Sequence, residues 1–201
     1  MISRIENKYL VDNSQIIQFY KLLNDKSFKE IYLKRKINSI YFDNKFFESY
    51  LDSEEGSVPR KKIRLRFYGE KNIYTAEKIF LEKKITSIEG KSKIVEEKLN
   101  LKDYLEEGLV DYNYGICYPT LAISYYREYY QKENIRITFD TLIEYENFDK
   151  SLNTMREKSN IMEIKCLNTE NNDFIERNFP LQKIRFSKYC SGINLLKLYS
   201  K

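Results

Sequence analysis

The sequence predicts an α+β fold: an antiparallel eight-stranded β-barrel, or a strongly curved sheet, with a few packing helices. Three observations carry this. Eight segments alternate with period two and are rich in Ile, Tyr, Phe and Val, the pattern of half-buried strands. Only three segments place apolar residues at helical spacing, which does not suit a repeated βαβ unit. Six Gly and three Pro in 201 residues leave no room for a long linker, so residues 1–201 are read as a single domain.

In chain order, the first strand is predicted over 3–11. A helix follows from Asn13 to Leu23, because Asn and Ser are capping types and Ile16, Ile17, Tyr20 and Leu23 then fall on one side. Strands are predicted over 37–43, 60–69 and 76–85, a second helix within Asn100 to Glu107, and further strands over 119–131, 134–140, 142–148 and 160–167. A last helix is predicted from Ser187 to Tyr199, with Ile193, Leu195, Leu196 and Tyr199 as its apolar side. No internal repeat or low-complexity tract interrupts the pattern.

Composition narrows the chemistry. The chain has no His, which excludes Ser-His-Asp and Cys-His nucleophiles, His-ligated zinc and His-held haem. Cys117, Cys166 and Cys190 are widely spaced without a CxxC pair, so neither a disulfide framework nor a thiolate metal site is expected. The first eight residues carry charges where a signal peptide needs an apolar core, and no uncharged apolar run approaches the ~18 residues of a membrane span. A soluble, cytoplasmic protein is expected.

The strands carry an unusual distribution of charge. In 60–67, Arg60, Lys62, Arg64 and Arg66 share one face while Ile63, Leu65 and Phe67 share the other. Glu6 and Lys8, Glu82 and Lys84, and Glu163 and Lys165 form three E-x-K pairs, each on one face of its strand. Arg127 stands between Tyr125 and Tyr129 at the same spacing, and Arg136, Thr138 and Asp140 share a face. Taken alone, each could be an ordinary solvated face or a cross-strand ion pair. Turned inward together, they would line a polar tunnel, which desolvation and repulsion would destabilise unless it stayed hydrated, included carboxylates or held a polyanion. Phosphates suit such a mixed lining, since Arg grips two oxygens and Lys acts as a point charge. A carboxylate such as Glu163 or Glu6 would then hold a divalent cation that bridges it to the anion.

Eight motifs occur together in one order: Arg4-Ile5-Glu6-Asn7-Lys8-Tyr9, Ser39-Ile40-Tyr41-Phe42-Asp43, Arg64-Leu65-Arg66-Phe67-Tyr68-Gly69, Leu81-Glu82-Lys83-Lys84, Tyr126-Arg127 with Tyr129, Arg136-Ile137-Thr138-Phe139-Asp140, Met162-Glu163-Ile164-Lys165 and Phe186-Ser187-Lys188-Tyr189. In this the chain resembles the polyphosphate polymerase (VTC) domain family of the triphosphate tunnel metalloenzyme superfamily. The other branch of that superfamily, with class IV adenylate cyclases and thiamine triphosphatases, is marked by E-x-E-x-K, and here the first acidic position is Arg4. The resemblance implies an eight-stranded triphosphate tunnel with a basic lumen. It implies that Lys8, Lys62, Arg64, Arg66, Lys84, Lys93, Arg127, Arg136, Lys165 and Lys188 bind the phosphates of ATP and inorganic polyphosphate. Among these, Arg64, Arg66, Arg127, Arg136 and Lys188 would act on the reacting phosphoryl group. Glu163 and Glu6 would hold Mn2+ or Mg2+.

The implied reaction moves the γ-phosphoryl group of ATP to the end of a polyphosphate chain, which requires alignment and charge neutralisation rather than a side-chain nucleophile. A metal-dependent triphosphatase acting on tripolyphosphate or nucleotides, and a non-catalytic polyanion-binding module, are the alternatives. A separately encoded membrane partner, holding the protein at the inner face of a membrane, is compatible with the sequence, and no specific nucleic-acid partner is expected. Two other motifs carry nothing: Gly90-Lys91-Ser92 would need a P-loop glycine where Ile85 stands, and adjacent Ser187 and Lys188 would diverge by roughly 100° on a helix.

Overall fold

Strand β3 (Arg60–Tyr68) sets the pattern of the molecule: Ile63, Leu65 and Phe67 are buried on one face, and Arg60, Lys62, Arg64 and Arg66 occupy the other. The computed structural model describes residues 5–69, 72–98, 102–149, 153–167 and 170–199. Among them lie ten strands and five α-helices. The strands are β1 (Ile5–Val11), β2 (Lys29–Asp43), β3, β4 (Ile79–Ser87), β5 (Gly90–Lys98), β6 (Leu109–Asp111), β7 (Gly115–Lys132), β8 (Ile135–Asn147), β9 (Thr154–Arg156) and β10 (Asn160–Cys166). The helices are α1 (Asn13–Asp25), α2 (Glu48–Glu55), α3 (Lys102–Glu106), α4 (Glu170–Asn178) and α5 (Lys188–Leu196).

The sheet runs in the order β1-β10-β8-β7-β2-β3-β4-β5, an eight-strand path, with β6 on β7 and β9 on β8. The registers of β1 on β10, β10 on β8, β2 on β3, β3 on β4 and β4 on β5 are all antiparallel. This is the architecture the alternation predicts. Two compact units divide the chain, one from 1–35, 125–143 and 157–186 and the other from 36–124, 144–156 and 187–201, so β2, β7 and β8 contribute to both.

In the first unit, Tyr9, Val11, Ile137, Phe139, Met162 and Ile164 from the sheet pack with Ile16, Phe19 and Leu23 of α1 and with Ile175 and Phe179 around α4. Helix α1 begins with a complete capping box between Asp12 and Gln15, which satisfies two otherwise unpaired backbone donors. In the second unit, Ile40, Phe42, Ile63, Leu65, Phe67, Ile79 and Leu81 form the core with Leu109, Tyr114 and Cys117.

The structure corrects several boundaries. The strands predicted over 134–140 and 142–148 are one strand, β8, in which Leu142 takes a left-handed backbone (φ 52°) without ending the pairing. Strand β2 begins at Lys29 rather than at 37, because Lys29–Lys36 is exposed along most of its length and so shows no alternation. Strands β5, β6 and β9 and helices α2 and α4 were not predicted. The last helix ends at Leu196, where Lys197 turns left-handed (φ 52°) and stops it. Ser3 and Arg4 of the first predicted strand, and Asn100 and Leu101 of the second predicted helix, lie outside the described residues.

Candidate functional site

In the second unit, register places functional side chains in rows across four strands. Residues directly opposite share a face, so Tyr41, Arg64, Glu82 and Val95 form one row, and Lys62, Lys84 and Lys93 form the next. Ser39 and Arg66 lie one step beyond Tyr41 and Arg64 on the same face. Five cations therefore surround one buried carboxylate, Glu82.

Glu82 accepts from Arg64 Nε at 2.7 Å and pairs with Arg64 Nη2 at 2.5 Å, Lys93 Nζ at 2.5 Å and Arg66 Nη1 at 3.7 Å. Burial opposes its ionisation, but Arg64 and Arg66, with Lys93, outweigh burial and bring its pKa down to about 2. The sequence pairs Glu82 with Lys84 on its own strand, whereas Glu82 turns to the neighbouring strands. Lys93 is pushed down by burial, and Arg66 and Arg64 work in the same direction against the attraction of Glu82. An anion added at this face would oppose the downward push on Lys93.

Lys62 is pushed down mainly by burial, with Lys84 and Arg60 adding repulsion. Its Nζ donates to Ser187 Oγ at 2.8 Å, and the same oxygen accepts from Cys190 N at the start of α5. Lys188 occupies the first position of that helix. The next residue, Tyr189, donates to Asp43 Oδ2 at 2.6 Å, and Asp43 also receives the backbone N–H groups of Asn44, Ser49 and Tyr50.

The first unit builds a different cluster. Lys8, Glu163 and Thr138 form one row across β1, β10 and β8, and Glu6, Lys165 and Arg136 form the next. Glu163 Oε1 lies 2.5 Å from Lys165 Nζ, while Glu6 lies 3.8 Å from Lys8 Nζ and 3.9 Å from Lys165 Nζ. Arg127 binds the buried Asp140 through two bonds, from Nε to Oδ1 and from Nη2 to Oδ2 at 2.6 Å. Burial works against the charge on Arg127, but Asp140 more than compensates and raises its pKa. Burial likewise opposes ionisation of Glu163, yet Arg127, Lys165 and Lys8 hold its carboxyl well below the usual range. Arg127, Tyr129, Arg136, Thr138, Glu163 and Lys165 line a cavity of about 50 Å³. Into this polar wall are built Arg136 Nε and Thr138 Oγ1, buried and without a hydrogen-bond partner among the described residues. Lys8 donates to Phe186 O at 2.8 Å.

All twelve residues singled out in the sequence thus fall into two groups: Glu6, Lys8, Arg127, Arg136, Glu163 and Lys165 in the first unit, and Lys62, Arg64, Arg66, Lys84, Lys93 and Lys188 in the second. A divalent metal fits the first group better. With Asp140, the partner of Arg127, it holds three carboxylates to four cations, and two of them, Glu163 and Glu6, are bridged by Lys165. Among the described residues no three of His, Cys, Asp or Glu come together. The protein would then supply one or two carboxylates and phosphate oxygens the rest, as is usual for Mg2+ at phosphoryl-transfer sites.

The family model of the VTC domain matches residues 3–115 and 112–197, nearly the whole chain. The chain belongs to the VTC domain family. Its fold is shared with two proteins designated "putative adenylate cyclase". That of Bacillus halodurans is 13% identical with a TM-score of 0.59, covering 92% of this chain and 93% of the other. That of Vibrio parahaemolyticus is 12% identical with a TM-score of 0.60, covering 95% and 97%. A conserved hypothetical protein of Pyrococcus furiosus is 13% identical with a TM-score of 0.56, covering 94% and 99%. Comparison with curated protein sequences gives no significant match. At this identity the likeness is one of fold: an antiparallel sheet with a few helices.

Sequence reasoning missed the roles of two buried carboxylates of this VTC domain, Asp140 on Arg127 and Asp43 on Tyr189. Asp140 was placed on the right face but not recognised as the partner of Arg127, and Asp43 was read only as part of a motif. A tight turn at Glu133 and Asn134 folds Arg127 back towards Asp140, and that signal was present in the chain. Among the described residues no helix is long and apolar enough to cross a membrane.

Proposed function

We propose that this VTC domain is a metal-dependent phosphotransferase that moves the γ-phosphoryl group of ATP onto the end of a growing polyphosphate chain. The observation that carries the reading is the face of Lys62, Arg64, Arg66, Lys84 and Lys93 around the single buried Glu82. Such an excess of positive charge is costly without an anion of matching charge, and a chain of phosphoryl groups is one. The two arginines supply fork geometry for non-bridging oxygens, and the lysine row supplies point charges.

In the reaction, the bond between the γ-phosphorus and the β,γ-bridging oxygen breaks, ADP leaves, and a terminal oxyanion of the acceptor forms the new P–O bond. No proton need move. The residues' task is to align donor and acceptor and to neutralise charge on the transferring group. Arg136 Nε is an unsatisfied donor suited to a phosphate oxygen. Mn2+ or Mg2+ held by Glu163 and Glu6 would neutralise phosphate charge, and the cations around Glu163 keep it ionised for that purpose. A cytoplasmic location, if needed beside a separately encoded membrane partner, is part of the same proposal.

The test is to incubate the protein with ATP and Mn2+ and to measure polyphosphate, free phosphate and ADP together. Polyphosphate with matching ADP is the expected result. Free phosphate alone would assign a triphosphatase, and neither product with polyphosphate binding retained would assign a binding module.

A further inference from the structure

Tyr41 lies in the row of Arg64 and Glu82, 6% exposed. Arg64 Nη1 is 2.7 Å from its hydroxyl oxygen. A guanidinium has only donors, so the oxygen of Tyr41 must accept, and the phenolic hydrogen has to go elsewhere. Among the described residues nothing accepts it. The neighbours explain why. Arg64, Arg66 and Lys62 can only donate, Glu82 is engaged by Arg64, Arg66 and Lys93, and the Tyr189 hydroxyl is given to Asp43. An acceptor entering this face from outside would complete the bond.

We propose that the Tyr41 hydroxyl donates a hydrogen bond to a non-bridging oxygen of the bound phosphate chain and is a substrate-binding residue. This rests on the phosphate reading of the basic face. The ring is fixed for the purpose: it stacks on Tyr189 with centroids 5.0 Å apart and planes 15° apart, and Tyr189 is anchored on Asp43. Burial would make the phenol less acidic, but Arg64, Arg66 and Lys62 prevail and make it more so. An acidified hydroxyl is a stronger donor to an anion.

The test uses the full chain and metal-free tripolyphosphate in isothermal titration. Tyr41→Phe keeps the ring and its stack and removes only the hydroxyl. Its affinity should fall about tenfold, as expected for a hydrogen bond to a charged group, with melting temperature and circular dichroism close to wild type. In ring-labelled tyrosine NMR, the resonance missing from the variant should titrate at higher pH once tripolyphosphate is bound, since an adjacent anion favours the neutral phenol. The groups facing that titration are Lys62, Arg64 and Arg66 of β3, Glu82 of β4, Asp43 of β2 and Tyr189 of α5. If Arg66→Ala weakens binding while Tyr41→Phe binds as wild type, or if the resonance does not respond to tripolyphosphate, this inference is overturned and the phosphate reading stands. If the wild-type chain does not bind tripolyphosphate, both are overturned.

Discussion

Asp140 is fully buried, and the paired bonds from Arg127 supply the opposite charge beside it. Removing one member of such a pair leaves the other charge buried and uncompensated, so Asp140→Ala should lose about 3–5 kcal/mol of stability in urea denaturation. Replacing both, as in Arg127→Met with Asp140→Leu, should recover most of that loss, and a double variant as unstable as the single one would argue against the pair. Glu163 makes the opposite kind of prediction. Glu163→Gln should abolish metal-dependent turnover while leaving metal-free tripolyphosphate binding intact or tighter, because a negative charge leaves a site meant for anions. Unchanged turnover would remove Glu163 from the metal site. Which face each residue occupies was legible, since alternation alone puts Arg64 and Arg66 opposite Leu65. Who pairs with whom was not, because Glu82 meets Arg64 and Lys93 through registers that involve three separate strands.

Helix α5 shows what was legible at the scale of elements. Ser187 and the apolar spacing announce it, but its tight seat does not show in the sequence. A Cβ added at Gly192 would meet Leu121 Cδ2 at 2.6 Å and Tyr145 Cδ1 at 2.7 Å, so the helix lies against the sheet at the one position without a side chain. Gly192→Ala should therefore destabilise by about 1–3 kcal/mol despite the better helix propensity of Ala, a cost readable as a lower melting temperature. A neutral or raised melting temperature would mean that Leu121 and Tyr145 yield easily. The elements that escaped prediction lack the pattern that prediction uses. Strand β5 is exposed almost throughout, so neither face is marked apolar. Helix α2 has no side-chain cap of its own at Phe47 and instead donates the N–H groups of Ser49 and Tyr50 to Asp43, upstream of the helix.

For the whole molecule, seven of the eight strands of the path, all but β5, and the ordered motifs were legible because alternation and motif order are properties of the chain itself. The division into two units was not, since long strands such as β7 pass through both and leave no break in composition. The balance of charge, also a property of the whole chain, gives a pH dependence with a definite sign. Glu82 titrates at about 2 when folded against an ordinary 4.5, and Glu163 is shifted in the same direction. A depressed carboxyl contributes stability that is fully present above its unfolded value and is lost as pH falls through the folded one. Melting temperature should accordingly hold, as far as these groups decide it, from neutral pH down to about 4.5 and then fall progressively towards pH 2. Below that range Glu82 no longer offsets Arg64, Arg66 and Lys93, and the basic face is left to its own repulsion. In Glu82→Gln that loss is already incurred at neutral pH, so the variant should start less stable and decline less steeply between pH 4.5 and 2. Parallel curves for variant and wild type would show that Glu82 is not the group whose protonation loosens the fold.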